Sequence, residues 1–192
     1  MYVERLLFPI HTLGPGSRIA LWTMGCPFRC SKCASPELWE VDMAKNLQVE
    51  NLRRLIGGVI ENNEVDGLTI TGGEPFSQID DLFGLLFALD TPKNFDVLVF
   101  TGYTLAELVN KRNKKIEQLL QKIDVLVDGR YMDEFNGSSA LRGSDNQNIV
   151  YLNEGLRGKY EKYLQKGRQV QNIFYENALI SVGIHNRSEP QR

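Results

Sequence analysis

The chain lacks a fourth cysteine. Its 192 residues contain three, Cys26, Cys30 and Cys33, all in the run GCPFRCSKC. A closed tetrahedral zinc site needs four protein ligands, and a 4Fe–4S cluster that only transfers electrons normally takes four thiolates. Three thiolates leave one iron of such a cluster without a protein ligand. An open metal position can bind a substrate or cofactor, so the cysteine count favours chemistry over a structural role.

Other scarcities exclude whole classes of function. The net charge is −2, from 22 basic and 24 acidic side chains, which gives no electrostatic basis for binding nucleic acid or a membrane surface. No apolar run approaches the roughly 18 residues of a membrane-spanning helix. The N-terminal run MYVERLLFPI contains Glu4 and no long apolar stretch, so we expect no signal peptide and a cytoplasmic protein. Disulfides are not expected in such a chain.

Apolar strand-like runs alternate with helical ones along most of the chain. The predicted strands are residues 18–24, 67–71, 95–101, 124–128 and 148–152, and the predicted helices are residues 48–61, 80–89 and 105–121. Strand, glycine-containing loop and helix in repetition are typical of βα units, so we predict an α/β fold with a parallel sheet.

The last forty residues follow a different pattern. We predict a charged helix over residues 156–167 and a hairpin of residues 170–175 and 179–184 that turns at residues 176–178. The simplest arrangement is a single domain, with a core of about residues 16–153 and a C-terminal helix and hairpin, about residues 154–192, that extend its edge.

The cysteine motif favours a 4Fe–4S cluster held by Cys26, Cys30 and Cys33, with one open iron. The alternative is a structural zinc site with His11 or His185 as the fourth ligand. Zinc sites usually pair C-x2-C units, whereas the first spacing here is three residues and neither histidine is near in sequence.

Glycines and polar residues follow the predicted strands at the carboxyl edge of the sheet, where ligands of open α/β sheets bind. After the second strand comes TGGEP, in which Glu74 can either accept hydrogen bonds from an ammonium group or begin a helix with Pro75. Thr101 and Gly102 end the third strand, and Asp128 ends the fourth.

Two loops carry further polar candidates. Asp128 has either a ribose-binding or a structural role, and Arg142 and Asn146 either bind a ligand or fix their own loop. Thr104 and Glu107 have the spacing of a capping box, which predicts a helix start directly after the third strand.

C-x3-C-x2-C after a first strand, followed by TGGEP, resembles the radical S-adenosylmethionine enzymes. The resemblance implies that S-adenosylmethionine chelates the open iron, and that an electron from the cluster releases a 5′-deoxyadenosyl radical. The residue before the third cysteine is often aromatic in that superfamily, whereas here it is Lys32, so a backbone contact is expected. The implied cofactor-binding residues are Lys32, Cys33, Ala34, Gly72, Gly73, Glu74, Thr101, Gly102, Asp128 and Asn146.

Further strings narrow the resemblance. GSRIALWTMGCPFRCSKC, PELWE, TGY, VDGRY, LRGSDNQ and LISVGI together resemble the activating proteins of anaerobic ribonucleotide reductase, over about residues 16–184. That family implies a partial, shortened βα barrel, anaerobic hydrogen removal from a glycine of the large reductase subunit, and flavodoxin or ferredoxin as electron donor. The cysteine count leaves no ligands for additional clusters.

Two alternatives remain open. One is a radical enzyme that acts on a peptide or a small molecule, in the manner of 7-carboxy-7-deazaguanine synthase. The other is a zinc or iron–sulfur module without catalysis.

Overall fold

A six-stranded sheet forms the centre of the computed structural model, which describes residues 1–175 and 177–185. The strands are β1 (Val3–Ile10), β2 (Arg18–Thr23), β3 (Gly67–Gly72), β4 (Asp96–Phe100), β5 (Val125–Asp128) and β6 (Asn148–Tyr151). They lie side by side in chain order. β2 to β5 are parallel, whereas β1 and β6 pair antiparallel with β2 and β5. The predicted α/β class and mostly parallel sheet are confirmed, and closure into a partial barrel stays a prediction.

Helices connect the parallel strands and cover the sheet. They are α1 (Val49–Asn62), α2 (Ile79–Ala88), α3 (Leu105–Asn110), α4 (Lys114–Lys122) and α5 (Arg157–Leu164). Leu52 of α1 and Leu82 of α2 are fully buried in one cluster with Ile70 of β3. This packing follows from apolar residues that recur at helical spacing and face the apolar side chains of mostly apolar strands. No helix in residues 1–175 and 177–185 is both long and apolar enough to cross a bilayer.

Two elements differ from the prediction. The single helix expected over residues 105–121 is two helices, because Arg112 has φ of 48° and the Asn113 side chain accepts a hydrogen bond from the Lys115 N–H at 2.9 Å, which begins α4. The capping box of Thr104 and Glu107 at the start of α3 is confirmed. β1 is a strand that the sequence did not predict, and it occupies one edge of the sheet.

The C-terminal hairpin is confirmed, with β7 (Val170–Tyr175) and β8 (Ala178–Gly183) antiparallel. Glu176, in its predicted turn, lies outside the described residues. The hairpin forms its own two-stranded sheet and adds no strand to the six-stranded sheet. It docks instead through Val182, which is buried with Ile10, Leu13 and Ala20 beside the start of β2.

Candidate metal and cofactor site

The cysteine loop follows β2 and is anchored by backbone hydrogen bonds. The Gly25 N–H donates to the Leu38 carbonyl oxygen at 2.9 Å, and the Cys26 N–H donates to that of Trp39 at 2.9 Å. The chain therefore leaves the sheet, forms the loop and returns to lie against its own beginning. This closure confines the three cysteines to one short excursion at the carboxyl edge of the sheet.

Left-handed residues shape the interior of this loop. Arg29 and Lys32, directly before Cys30 and Cys33, have φ of 46° and 56°. Such values are uncommon for residues with a side chain and mark sharp local turns. The Cys33 N–H donates to the Cys30 carbonyl oxygen at 3.1 Å, which closes the second turn.

The three thiols are free and half-buried. Burial raises the pKa of the thiols of Cys26 and Cys30, so metal binding at these positions releases protons. Soft thiolates suit an iron–sulfur cluster, in which each cysteine binds a different iron. Within the described part of the chain, no three His, Cys, Asp or Glu side chains lie close enough to hold a single metal ion. The fit to a cluster rests on the donor set itself, three soft thiolates on one loop.

Phe28 attaches the cysteine loop to the ends of β4 and β5. Its ring packs edge to face on Tyr103, with centroids 4.7 Å apart, and the Arg130 guanidinium carbon lies 4.6 Å from its centroid. A Cβ at Gly102 would overlap the ring. The absence of a side chain at Gly102 therefore makes room for Phe28, and a cofactor contact at Gly102 stays a prediction.

The glycine turn after β3 lies directly against the cysteine loop. The Gly73 N–H donates to the Thr23 carbonyl oxygen at 2.7 Å, and the Glu74 N–H donates to that of Gly25 at 2.8 Å. A Cβ on Gly73 would lie 2.6 Å from the Gly25 oxygen. Glycine is therefore needed at residue 73 for the two loops to touch.

The carboxylate of Glu74 is 1% exposed and turns toward the end of β4. One oxygen accepts from the Phe76 N–H at 2.9 Å and the Thr101 hydroxyl at 2.8 Å, and the other accepts from the Gly102 N–H at 2.7 Å. Burial raises its pKa to about 7, although these donors act in the opposite direction. The predicted helix start is confirmed, because Glu74 caps a short 3₁₀ helix, Pro75–Gln78. The predicted ammonium contact stays a prediction.

Asp128 has a structural environment. One carboxylate oxygen accepts from the Leu105 N–H at 2.6 Å, at the first turn of α3, and the other accepts from the Asn148 side chain at 2.9 Å. The side chain is 3% exposed. These contacts support the structural role of Asp128, and its predicted contact with a ribose stays a prediction.

Arg142 and Asn146 hold their own loop. Arg142 donates to the carbonyl oxygens of Asp145 and Gln147 at 3.2 and 3.1 Å. Asn146 donates to the Arg130 carbonyl oxygen at 2.8 Å. The structure thus favours the loop-fixing alternative for both residues.

A cavity of about 610 Å³ opens at the carboxyl ends of β2, β3 and β4. Four of the predicted cofactor residues line it: Lys32, Cys33, Ala34 and Gly72. The Lys32 side chain donates a hydrogen bond to the Asp133 carboxylate at 2.7 Å, and the backbone contact of Lys32 with the cofactor stays a prediction. Gly73, Glu74, Thr101 and Gly102 lie behind this lining, where they join the cysteine loop to the strand ends.

The far wall of the cavity was not predicted from the sequence. It consists of residues 181–185, from the end of the C-terminal hairpin, with Arg5 of β1 at the rim. His185, one of the two histidines considered as a zinc ligand, belongs to this wall. Little in the sequence indicates that this run lines a cavity, because SVGIH contains no charged residue and only one histidine.

Comparison with known proteins yields a family match that includes the cysteine loop and the parallel strands. Residues 12–150 match the family model described as a 4Fe-4S single cluster domain. The relatives include anaerobic ribonucleoside-triphosphate reductase-activating proteins. That of Enterobacteria phage T4 is 28% identical over 148 residues, covering 74% of this chain and 89% of the relative. That of Vibrio cholerae serotype O1 is 31% identical over 148 residues (74% and 93%), and that of Pasteurella multocida is 34% identical over 147 residues (72% and 89%).

Proposed function

Because this chain belongs to the 4Fe-4S single cluster domain family and is related to anaerobic ribonucleoside-triphosphate reductase-activating proteins, we propose that it is a radical S-adenosylmethionine enzyme that activates such a reductase. It cleaves S-adenosylmethionine reductively and removes a hydrogen atom from a glycine of the large reductase subunit. The observation that carries the proposal is a set of three thiols on one loop, with no fourth in the chain, beside a cavity at the carboxyl edge of the sheet.

Cys26, Cys30 and Cys33 would hold three irons of the cluster. When bound, the cluster supplies one electron and an open iron to the methionyl end of S-adenosylmethionine. Cys33 and Gly72 both line the cavity. Glycine is needed at residue 72, because a Cβ there would lie 2.5 Å from the Thr23 carbonyl oxygen, and this close approach holds the turn after β3 against the end of β2. S-adenosylmethionine would occupy the half of the cavity that Cys33 and Gly72 line.

The remaining predicted residues position this half. Glu74 joins the glycine turn to Thr101 and Gly102, so the ends of β3 and β4 move as one unit. In its ionised form, the buried Glu74 carboxylate favours a cationic amino group nearby. The electron donor we propose is a flavodoxin or ferredoxin, because the chain has no cysteines for a second cluster of its own.

The test is anaerobic reconstitution with iron and sulfide. We expect about four iron and four sulfide per chain. Dithionite and S-adenosylmethionine should then yield 5′-deoxyadenosine, and addition of the anaerobic reductase should yield a glycyl radical signal in electron paramagnetic resonance. Omission of S-adenosylmethionine is the control, and it should abolish both products.

Different failures point to different alternatives. Stoichiometric zinc without nucleoside release would overturn the radical enzyme proposal in favour of a binding module. Nucleoside release without a glycyl radical on the reductase would overturn the proposed partner and favour a peptide or a small molecule as substrate.

A further inference from the structure

We propose that residues 181–185, at the end of the C-terminal hairpin, form the binding wall for the partner's glycine-bearing peptide segment, and that Arg168 holds this wall in position. The inference rests on the proposed function. It adds a substrate site formed by a part of the chain that lies beyond residues 12–150, which match the cluster-domain family.

The lining of the cavity comes from separate parts of the chain. Lys32, Cys33 and Ala34 of the cysteine loop contribute to it, and so do residues 181–185 of the hairpin. Transfer of a hydrogen atom requires the reacting atoms to approach within about 3–3.5 Å. The glycine must therefore enter the same cavity as the cofactor, and the hairpin side is the part left for it.

Small or uncharged residues form the hairpin part of the lining: Ser181, Val182, Gly183 and Ile184. A main chain can lie against such a wall without removing a charged group from water. A glycine in the partner has no side chain to hold its α-carbon away from the cofactor. The lining thus fits an extended, glycine-bearing polypeptide segment.

The hairpin wall is fixed in place on its inner side. Val182 is 2% exposed, and the Thr12 hydroxyl donates to its carbonyl oxygen at 2.9 Å. Gly183 has φ of 138°, and a Cβ there would overlap the Gln169 carbonyl oxygen. A rigid wall loses little entropy when a segment binds, which favours affinity.

Arg168 connects this wall to the segments around Asn136 and Gly143, which also line the cavity. One guanidinium nitrogen donates to the His185 carbonyl oxygen at 3.0 Å and to the Asn136 side chain at 3.1 Å. The other donates to the carbonyl oxygens of Arg142 and Gly143 at 3.1 and 2.8 Å. Only a planar guanidinium offers several donors in this fixed arrangement, so lysine cannot replace it. Arg168 is a positioning residue, since it acts on the cavity through the chain segments that it holds.

Ile184 and Leu179 provide a matched pair of test positions. Ile184 directly follows β8, is half-buried and lines the cavity, whereas Leu179 lies on β8, is 56% exposed and is not among the lining residues. The reconstituted enzyme is assayed with the reductase for two products: glycyl radical and 5′-deoxyadenosine. For Ile184→Arg, we expect the ratio of radical to nucleoside to fall about tenfold, because a misplaced substrate leaves cofactor cleavage uncoupled. Leu179→Arg should keep the wild-type ratio.

If Ile184→Arg fails to fold, the milder variants Ile184→Ala and Arg168→Lys provide the same test. Iron content and thermal unfolding are measured for every variant to detect misfolding. Both milder variants should lower the same ratio, Arg168→Lys by releasing His185. A benzophenone photo-crosslinker at residue 185 should couple to the reductase peptide that carries the radical glycine, identified by mass spectrometry. The proposal would be overturned if Ile184→Arg, Ile184→Ala and Arg168→Lys all kept the wild-type ratio. It would also be overturned if Leu179→Arg lowered the ratio as much as they do. A wild-type enzyme that releases no nucleoside would instead refute the proposed function.

Discussion

The two ends of the parallel sheet each bury a carboxylate, but they surround it differently. At the amino end, Asp96 of β4 lies 2.8 Å from Arg18 and 2.7 Å from Lys159, and it accepts from the Tyr160 hydroxyl at 2.6 Å. At the carboxyl end, Glu74 accepts three hydrogen bonds from uncharged donors. Asp96 is paired with cations at hydrogen-bond distance, whereas Glu74 is hydrogen-bonded to uncharged donors and has only a weaker charge interaction, with Lys111.

The pKa values follow this difference. Burial alone would raise the pKa of Asp96, but Arg18, Lys159 and Tyr160 hold it below the usual value. Burial raises the pKa of Glu74 to about 7. The amino end thus stabilises the charged form of its carboxylate, whereas burial at the carboxyl end disfavours the charged form of Glu74 beside the candidate site. Such perturbed groups in clefts are typical of functional sites.

The largest expected effect comes from Cys30→Ala at the carboxyl end. We expect complete loss of the cluster and of 5′-deoxyadenosine formation, because two thiolates cannot hold a cubane. The free energy of unfolding of the metal-free protein should change by less than about 1 kcal/mol, since the thiol is only half-buried. Iron and sulfide analysis with denaturant unfolding checks both, and retained nucleoside formation would contradict the metal assignment.

Asp96→Ala, at the amino end, should instead have a large effect on the free energy of unfolding. It leaves the Arg18 guanidinium fully buried without its carboxylate, which costs about 3–5 kcal/mol of unfolding free energy. Asp80→Ala is the control, because the ion pair of Asp80 with Lys115 is exposed and is worth less than about 1 kcal/mol. Urea unfolding measures both, and equal losses would show that the buried network does not distinguish the amino end.

These contrasts mark what the sequence could predict. The placement of Cys26, Gly72 and Gly102 at one edge followed from apolar strands whose carboxyl ends meet when they are parallel. The helix break was also readable, because Asn113 is a good N-cap residue within a run of lysines. The orientation of Glu74 was not, since it depends on Thr101, which the fold brings in from β4.

The cavity wall was unpredictable for the same reason. Arg168 reaches Gly143 and Arg142, which precede it by 25 and 26 residues, and these contacts exist only after the hairpin docks. A basic residue in a polar stretch carries no sequence signal for such a role. β1 was missed because Glu4 and Arg5 interrupt its apolar pattern, which an edge strand tolerates.

A pH titration of stability sharpens the comparison at Glu74. Its pKa of about 7 in the folded state exceeds the ordinary value, so the folded protein binds the extra proton and stability falls as pH rises from about 4.5 to about 7. Wild type should lose about 2.5 kcal/mol relative to Glu74→Gln between about pH 5 and about pH 8. Denaturant unfolding of both metal-free proteins measures the difference. A parallel pH profile for the two proteins would show that Glu74 titrates as an ordinary carboxyl group.

The smallest expected effect tests how the carboxyl edge is held together without ion pairs. Gly102→Ala pushes a methyl group into the Phe28 ring and should cost about 1–3 kcal/mol of unfolding free energy. Phe28→Ala alone removes the contacts with Tyr103 and Arg130, at about 1–2 kcal/mol. In the double variant the ring is gone, so the alanine at residue 102 should cost almost nothing more, and the two changes should be non-additive by about 1 kcal/mol or more.

Denaturant unfolding of the four metal-free proteins gives this coupling, and the rate at which a chelator removes iron from the reconstituted proteins reports whether the loop opens. Gly102→Ala and Phe28→Ala should each accelerate iron loss, since the ring attaches the segment between Cys26 and Cys30 to the strand ends. Strict additivity, with unchanged iron loss, would mean that Phe28 does not anchor the loop. The backbone contacts of Gly25 and Glu74 would then hold the carboxyl edge alone, in sharper contrast to the ion-paired amino end.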